Sequence, residues 1–143
     1  MKKYCFGVDV GGTTIKIGFL DTDGTMLDKW EIKTNTENFG ETILSDICES
    51  LENKIIKEKI SLDDIQGIGI GLPGPVLADG TVLQCVNLGW GTFNVEKKLS
   101  EMFHDIKVKA GNDANVAALG EAWKGGGKDY KDIVMITLGT GVG

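Results

Sequence analysis

The chain has 143 residues, 41% hydrophobic and 25% charged, with 15 Lys+Arg against 21 Asp+Glu and a formal charge of −6. That length fits one globular domain with a real core, and the acidic balance argues against nucleic acid, because neutralising phosphates needs a basic face. No apolar run approaches the roughly 20 residues that cross a bilayer, and Met1-Lys2-Lys3-Tyr4 enters a strand pattern at once, without a signal-peptide core. A cytoplasmic protein with no membrane partner is therefore expected.

In chain order, residues 3–10 (KYCFGVDV) are apolar and β-rich and end in Gly11-Gly12. Residues 13–21 alternate, with Ile15, Ile17 and Phe19 on one face, and Asp23-Gly24 signals a hairpin turn into a third strand over 25–34. These three predict an antiparallel meander. Residues 37–59 predict one long amphipathic helix, with Ile43, Ile47, Leu51 and Ile55 at four-residue spacing. Residues 65–72 predict a strand buried on both faces, ended by Pro73-Gly74-Pro75. Asp79-Gly80 predicts a small hairpin carrying Val82 to Val86. Asn94 is placed to cap a helix over 95–103, in which His104 also falls, and 106–110 reads as a strand. Residues 112–123 read as a helix, 125–131 as a glycine-rich linker and 132–138 as a lone strand running into Gly139-Thr140-Gly141-Val142-Gly143. A meander followed by α/β crossovers predicts an α/β fold with a mixed five-stranded sheet and helices on both faces. The division expected is a first lobe over 1–124, the linker 125–131, and the first strand and loop of a second, truncated lobe over 132–143.

Cys5, Cys48 and Cys85 are scattered and odd in number, and His104 is the single histidine, so neither a disulfide framework nor zinc ligands are expected. Cys5 and Cys48 read as core fillers.

Four segments carry residues suited to chemistry. Asp9-Val10-Gly11-Gly12-Thr13-Thr14-Ile15-Lys16 joins two strands through glycines. Such a turn offers backbone N–H groups and threonine hydroxyls to a phosphate. Asp9 at the strand end suits Mg²⁺ held through water, since Mg²⁺ keeps most of its hydration shell. A plain β-turn flanked by Asp contains the same residues, so this loop alone does not decide. Thr137-Leu138-Gly139-Thr140-Gly141 repeats the strand-then-Gly/Thr chemistry, and a flexible end is its bland counterpart. Gly111-Asn112-Asp113-Ala114-Asn115 lies between a strand and a helix. A helix cap explains one of its polar residues, whereas a carboxylate at the C-terminal end of a parallel strand faces the crevice where α/β proteins bind ligands. There Asp113 could take a proton from an alcohol and Asn112 could bond a neighbouring hydroxyl. Gly71-Leu72-Pro73-Gly74-Pro75 with Asn87-Leu88-Gly89-Trp90 would let backbone approach a small polar ligand; for Trp90, core filling is the simpler role.

Taken together, DVGGTTIK, GLPGPV, NLGW, NDANVAALGE and TLGTGVG resemble, in order and across essentially the whole chain, the repressor–ORF–kinase (ROK) family of sugar kinases. That family has the actin-like ATPase (ribonuclease H-like) fold, and the similarity is greatest to its bacterial glucokinases. The resemblance implies Asp113 as the base for a sugar hydroxyl, with Asn112, Asp113, Asn87 and Gly71 on the sugar side. It implies Asp9, Gly11, Gly12, Thr13, Thr14, Lys16, Gly139, Thr140 and Gly141 on the ATP and phosphate side, with Mg²⁺ near Asp9. The implied reaction is transfer of the ATP γ-phosphoryl group to the 6-OH of glucose. Family members are considerably longer, so the chain is expected to be an N-terminal lobe, inactive alone, with 132–138 an unpaired strand able to pair with a second copy. A non-catalytic sugar-binding or assembly module, a kinase for fructose, mannose or an N-acetylhexosamine, and a repressor of the same family are the alternatives.

Overall fold

The computed structural model describes residues 3–21, 25–85 and 88–112. The expected meander forms as β1 (Tyr4–Val10), β2 (Thr14–Asp21) and β3 (Met26–Lys33). β4 (Ile65–Leu72) and β7 (Val108–Asn112) complete a mixed sheet in the order β3-β2-β1-β4-β7. β1 runs antiparallel to β2 but parallel to β4, and β4 runs parallel to β7. The turn at Asp23-Gly24 lies outside the described residues.

Strand alternation sorts the two faces of this sheet. On one, Phe6 stands opposite Phe19, Val8 opposite Ile17 and Val10 opposite Ile15, and the parallel register adds Ile68 and Ile70. All are buried, and one hydrophobic cluster joins them to Ile43, Leu44, Ile47, Leu51 and Ile55 of helix α2 (Ile43–Glu58). Each such side chain contributes about 1.5–3 kcal/mol by leaving water. Helix α3 (Val95–Met102) packs against α2 and β7, adding Val95 and Leu99 to the same core. The two long helices therefore share a face. The helix expected beyond residue 112, the linker 125–131 and the strand 132–138 lie outside the described residues.

The single helix expected over 37–59 is two elements. The short α1 (Glu37–Gly40) is not right-handed inside: Asn38, Phe39 and Gly40 have φ of 51°, 63° and 67°. The apolar spacing that carries the helix starts only at Ile43, and α2 ends in a left-handed Lys59. Leu62–Asp64 forms a 3₁₀ turn capped by the Ser61 side chain.

The Asp79-Gly80 hairpin is present but shorter than expected. Val76 bridges Val82, and β5 (Thr81–Val82) pairs with β6 (Phe93–Asn94), a strand too short for pattern reading. Val86 lies outside the described residues. Asn94 caps α3 as expected, its side chain accepting from the Lys97 amide at 2.9 Å. His104 is not in that helix. It follows it, at φ 57°, and pairs with Glu52. The strand expected over 106–110 begins at Val108 and includes Asn112, two residues further along than expected. Glu96 accepts a 2.8 Å hydrogen bond from the Ala110 amide, fixing α3 to β7.

Candidate functional site

Three parallel strands end together at one border of the sheet. The pairing places Asp9 of β1 beside Gly71 of β4, and Gly71 beside Gly111 of β7. Lys16 of β2 stands opposite Asp9, so one row runs Lys16, Asp9, Gly71, Gly111. At ordinary inter-strand spacing, the backbone of β7 lies about 10 Å from that of Asp9. Only Gly71 stands between them and the β7 position is Gly111, so beyond Asp9 that row carries no side chain. Asp9 itself is half-buried.

Beyond Asp9 the chain turns back through Gly11, Gly12 and Thr13. The Gly11 amide donates to the Thr14 carbonyl at 3.0 Å, closing the hairpin. A β-carbon at Gly11 would come within 2.9 Å of that same carbonyl, so glycine is required there for space. Gly12 and Thr13 are exposed and Thr14 is half-buried. Sequence reasoning missed what holds this hairpin. Thr34, buried at 5% exposure, donates its hydroxyl to the Gly11 carbonyl at 2.8 Å and its amide to the Thr13 carbonyl at 2.9 Å. Nothing in Lys33-Thr34-Asn35-Thr36 marks one threonine over the other, because the partners lie more than 20 residues away.

At the third strand end, Asn112 closes β7 beside Leu72. It is the last residue of that strand, and the helix expected after it lies outside the described residues. The carboxylate proposed as base, Asp113, lies outside the described residues, as do Asn87, Gly139, Thr140 and Gly141. Near Asn87 in sequence, the Trp90 and Leu88 amides both donate to the Cys85 carbonyl, at 3.1 and 3.0 Å. Trp90 is core, 6% exposed, with its indole N–H donating to the Gly40 carbonyl at 3.0 Å and its ring edge-on to Phe93.

No group of three or more metal-ligating side chains occurs among the described residues. Mg²⁺ needs less, because one carboxylate plus substrate phosphates and water is an ordinary Mg²⁺ set. A half-buried Asp9 beside an exposed Gly-Thr turn fits that requirement. The three cysteines are buried and none is in a disulfide, and burial, with Glu52 nearby, pushes the Cys48 thiol up to about 11. None is suited to nucleophilic chemistry. Among the described residues no helix is long and apolar enough to cross a membrane.

The profile of the ROK family matches residues 5–143. A glucokinase from Halalkalibacterium halodurans is 46% identical over 142 residues, covering 99% of this chain and 43% of that protein. An N-acetylgalactosamine kinase from Shewanella sp. is 33% identical, covering 96% of this chain and 43% of that protein. Among solved structures, a ROK family glucokinase from Streptomyces griseus in complex with glucose and AMPPNP superposes with a TM-score of 0.67 at 31% identity. That match covers 87% of this chain and 38% of the other. The chain thus spans about two-fifths of the length of the relatives it matches.

Proposed function

Because this chain belongs to the ROK family, we propose that it is part of an ATP-dependent hexokinase that phosphorylates the 6-OH of glucose. The supporting observation is the common border of β1, β4 and β7, where the Asp9–Thr14 hairpin and Gly71 and Asn112 meet on adjacent strand ends. That is the crevice position at which α/β sheets take ligands.

In this reading the amides of Gly12 and Thr13 and the hydroxyls of Thr13 and Thr14 receive the ATP phosphates, Gly11 shapes the turn that presents them, and Lys16 beside Asp9 adds positive charge. Gly139, Thr140 and Gly141 serve the same phosphates from the second lobe. Asp9 would hold Mg²⁺ through water, and the ion would supply charge neutralisation on the phosphates. Asn112, Asn87 and the backbone of Gly71 orient the sugar. Asp113 accepts the proton of the 6-OH as its oxygen bonds to the γ-phosphorus and the bond to the bridging oxygen breaks. Phosphoryl transfer asks a protein for positioning and electrostatics more than for covalent chemistry, and two Gly/Thr loops with one carboxylate meet that demand.

The glucokinase relatives favour glucose. The N-acetylgalactosamine kinase among the relatives supports a second reading, a kinase of the same mechanism for another hexose. Asp113→Asn in the complete kinase tests the chemistry: sugar affinity should persist while turnover falls about 10²–10⁴-fold, the usual contribution of a positioned base. Undiminished turnover would remove Asp113 from that role. A panel of glucose, mannose, fructose and N-acetylhexosamines, ranked by kcat/KM, decides between the two substrate readings.

A further inference from the structure

We propose that residues 34–40 form a strut tying the phosphate-side hairpin to the sugar-side turn, with Thr34 and Trp90 as its anchoring, positioning residues. The inference rests on the kinase reading for what the two ends bind, but the linkage itself is a property of the described residues.

At one end, Thr34 spends both its amide and its hydroxyl on the hairpin, bonding Thr13 and Gly11. It is buried, so neither bond competes with water. At the other end stands the left-handed run Asn38-Phe39-Gly40. For Asn38 and Phe39 this backbone is strained, and such strain persists only where the surroundings over-determine it. The surroundings here are the turn at Leu88-Gly89-Trp90. The Gly40 carbonyl accepts the Trp90 indole N–H. A β-carbon at Gly40 would collide with the Leu88 carbonyl oxygen, and one at Gly89 would reach the Phe39 Cα at 2.9 Å. Two backbones meet there with no room for side chains, at glycines that hold φ of 67° and 81°.

The connection between the ends is short and stiff. The Asn35 side chain accepts from the Glu37 amide at 3.0 Å, and the Gly40 amide donates to the Thr36 carbonyl at 3.2 Å. The far end is locked too, because Cys85 and Trp90 exchange backbone hydrogen bonds of 3.2 and 3.1 Å. A strut of this kind cannot lengthen, so a shift of the hairpin around phosphate must be felt at the sugar-side loop, and the reverse. By linkage the effect is reciprocal.

The test uses the complete kinase with Thr34→Val, Thr34→Ser and Trp90→Phe. Thr34 is on the phosphate side, yet Thr34→Val should raise the sugar KM about threefold to tenfold, the worth of one buried hydrogen bond. Trp90→Phe should raise the ATP KM by a similar factor, and Thr34→Ser, which keeps the hydroxyl, should restore wild-type values. A purely structural role would lower the active fraction and leave both KM values in place, which would overturn the proposal. Hydrogen exchange gives an activity-free arm. Trp90→Phe should speed exchange of the Gly11 amide, and Thr34→Val should speed exchange of the Trp90 indole N–H; unchanged rates in both would overturn the strut. A wild-type protein without sugar-dependent ATP turnover would defeat the kinase reading alone, and the exchange arm would still decide the linkage.

Discussion

Lys54 illustrates how single residues set conditions for this fold. Its side chain is 8% exposed, yet it carries a charge into the interior, over the rings of Phe19 and Trp30 at 5.4 and 5.6 Å. Burial disfavours that charge, but hydrogen bonds to Asp28 at 2.6 Å and Glu58 at 3.0 Å more than offset the penalty and raise its pKa. The same bond from Lys54 lowers the pKa of Asp28. The unfolded chain therefore takes up the Asp28 proton before the folded one does. The stabilisation is complete above the ordinary carboxylate range and drains away as pH falls through the lowered value. On the alkaline side the Lys54 contribution is complete below the ordinary lysine range and is lost as pH climbs through the raised one. Asp28 is half exposed, so its share is about 1 kcal/mol or less. The gap in urea midpoint between wild type and Asp28→Asn should be open at neutral pH and close in acid. Residue roles were unevenly visible in sequence. Trp90 as core and Asn94 as a cap follow from local context, as does the i,i+4 pair of Lys54 with Glu58, whereas the bonds of Thr34 to the hairpin and of Lys54 to Asp28 reach over 20 residues and leave no local mark.

At the scale of elements, α3 depends on its first turn. Asn94 bonds the Lys97 amide and also donates to the Asp79 carbonyl at 3.0 Å. Asn94→Ala should cost about 1 kcal/mol through the lost cap, read as a lower thermal midpoint, with the Asp79-Gly80 turn loosened beside it. Strand positions were readable because alternation in β2 and the glycine-interleaved apolar run of β4 match their burial. The break before α2 was not. Residues 37–42 accept a helical reading locally, and the left-handed turn there answers to Gly89 and Trp90, fifty residues on. Two-residue strands such as β5 and β6 are too short to generate a period.

For the molecule as a whole, the row from Lys16 to Gly111 is one wall of the proposed site, and the chain spans about two-fifths of the relatives' length. The 143-residue chain alone should therefore yield no sugar phosphate above background in a coupled assay. Steady production by the purified chain would overturn the two-lobed reading. The motif order made the family readable from sequence, because five short segments had to agree. The spatial half of that reading, Asp9 on the same border as Asn112, needed the strand register. The bond from Ala110 to Glu96 has a consequence beyond catalysis. β7 is one of the two outermost strands of the sheet among the described residues, β3 being the other, and its amide at Ala110 is already occupied by a carboxylate. An incoming foreign strand would have to evict Glu96 to dock there, and it would meet a negative charge in doing so, which guards this flank against templated aggregation.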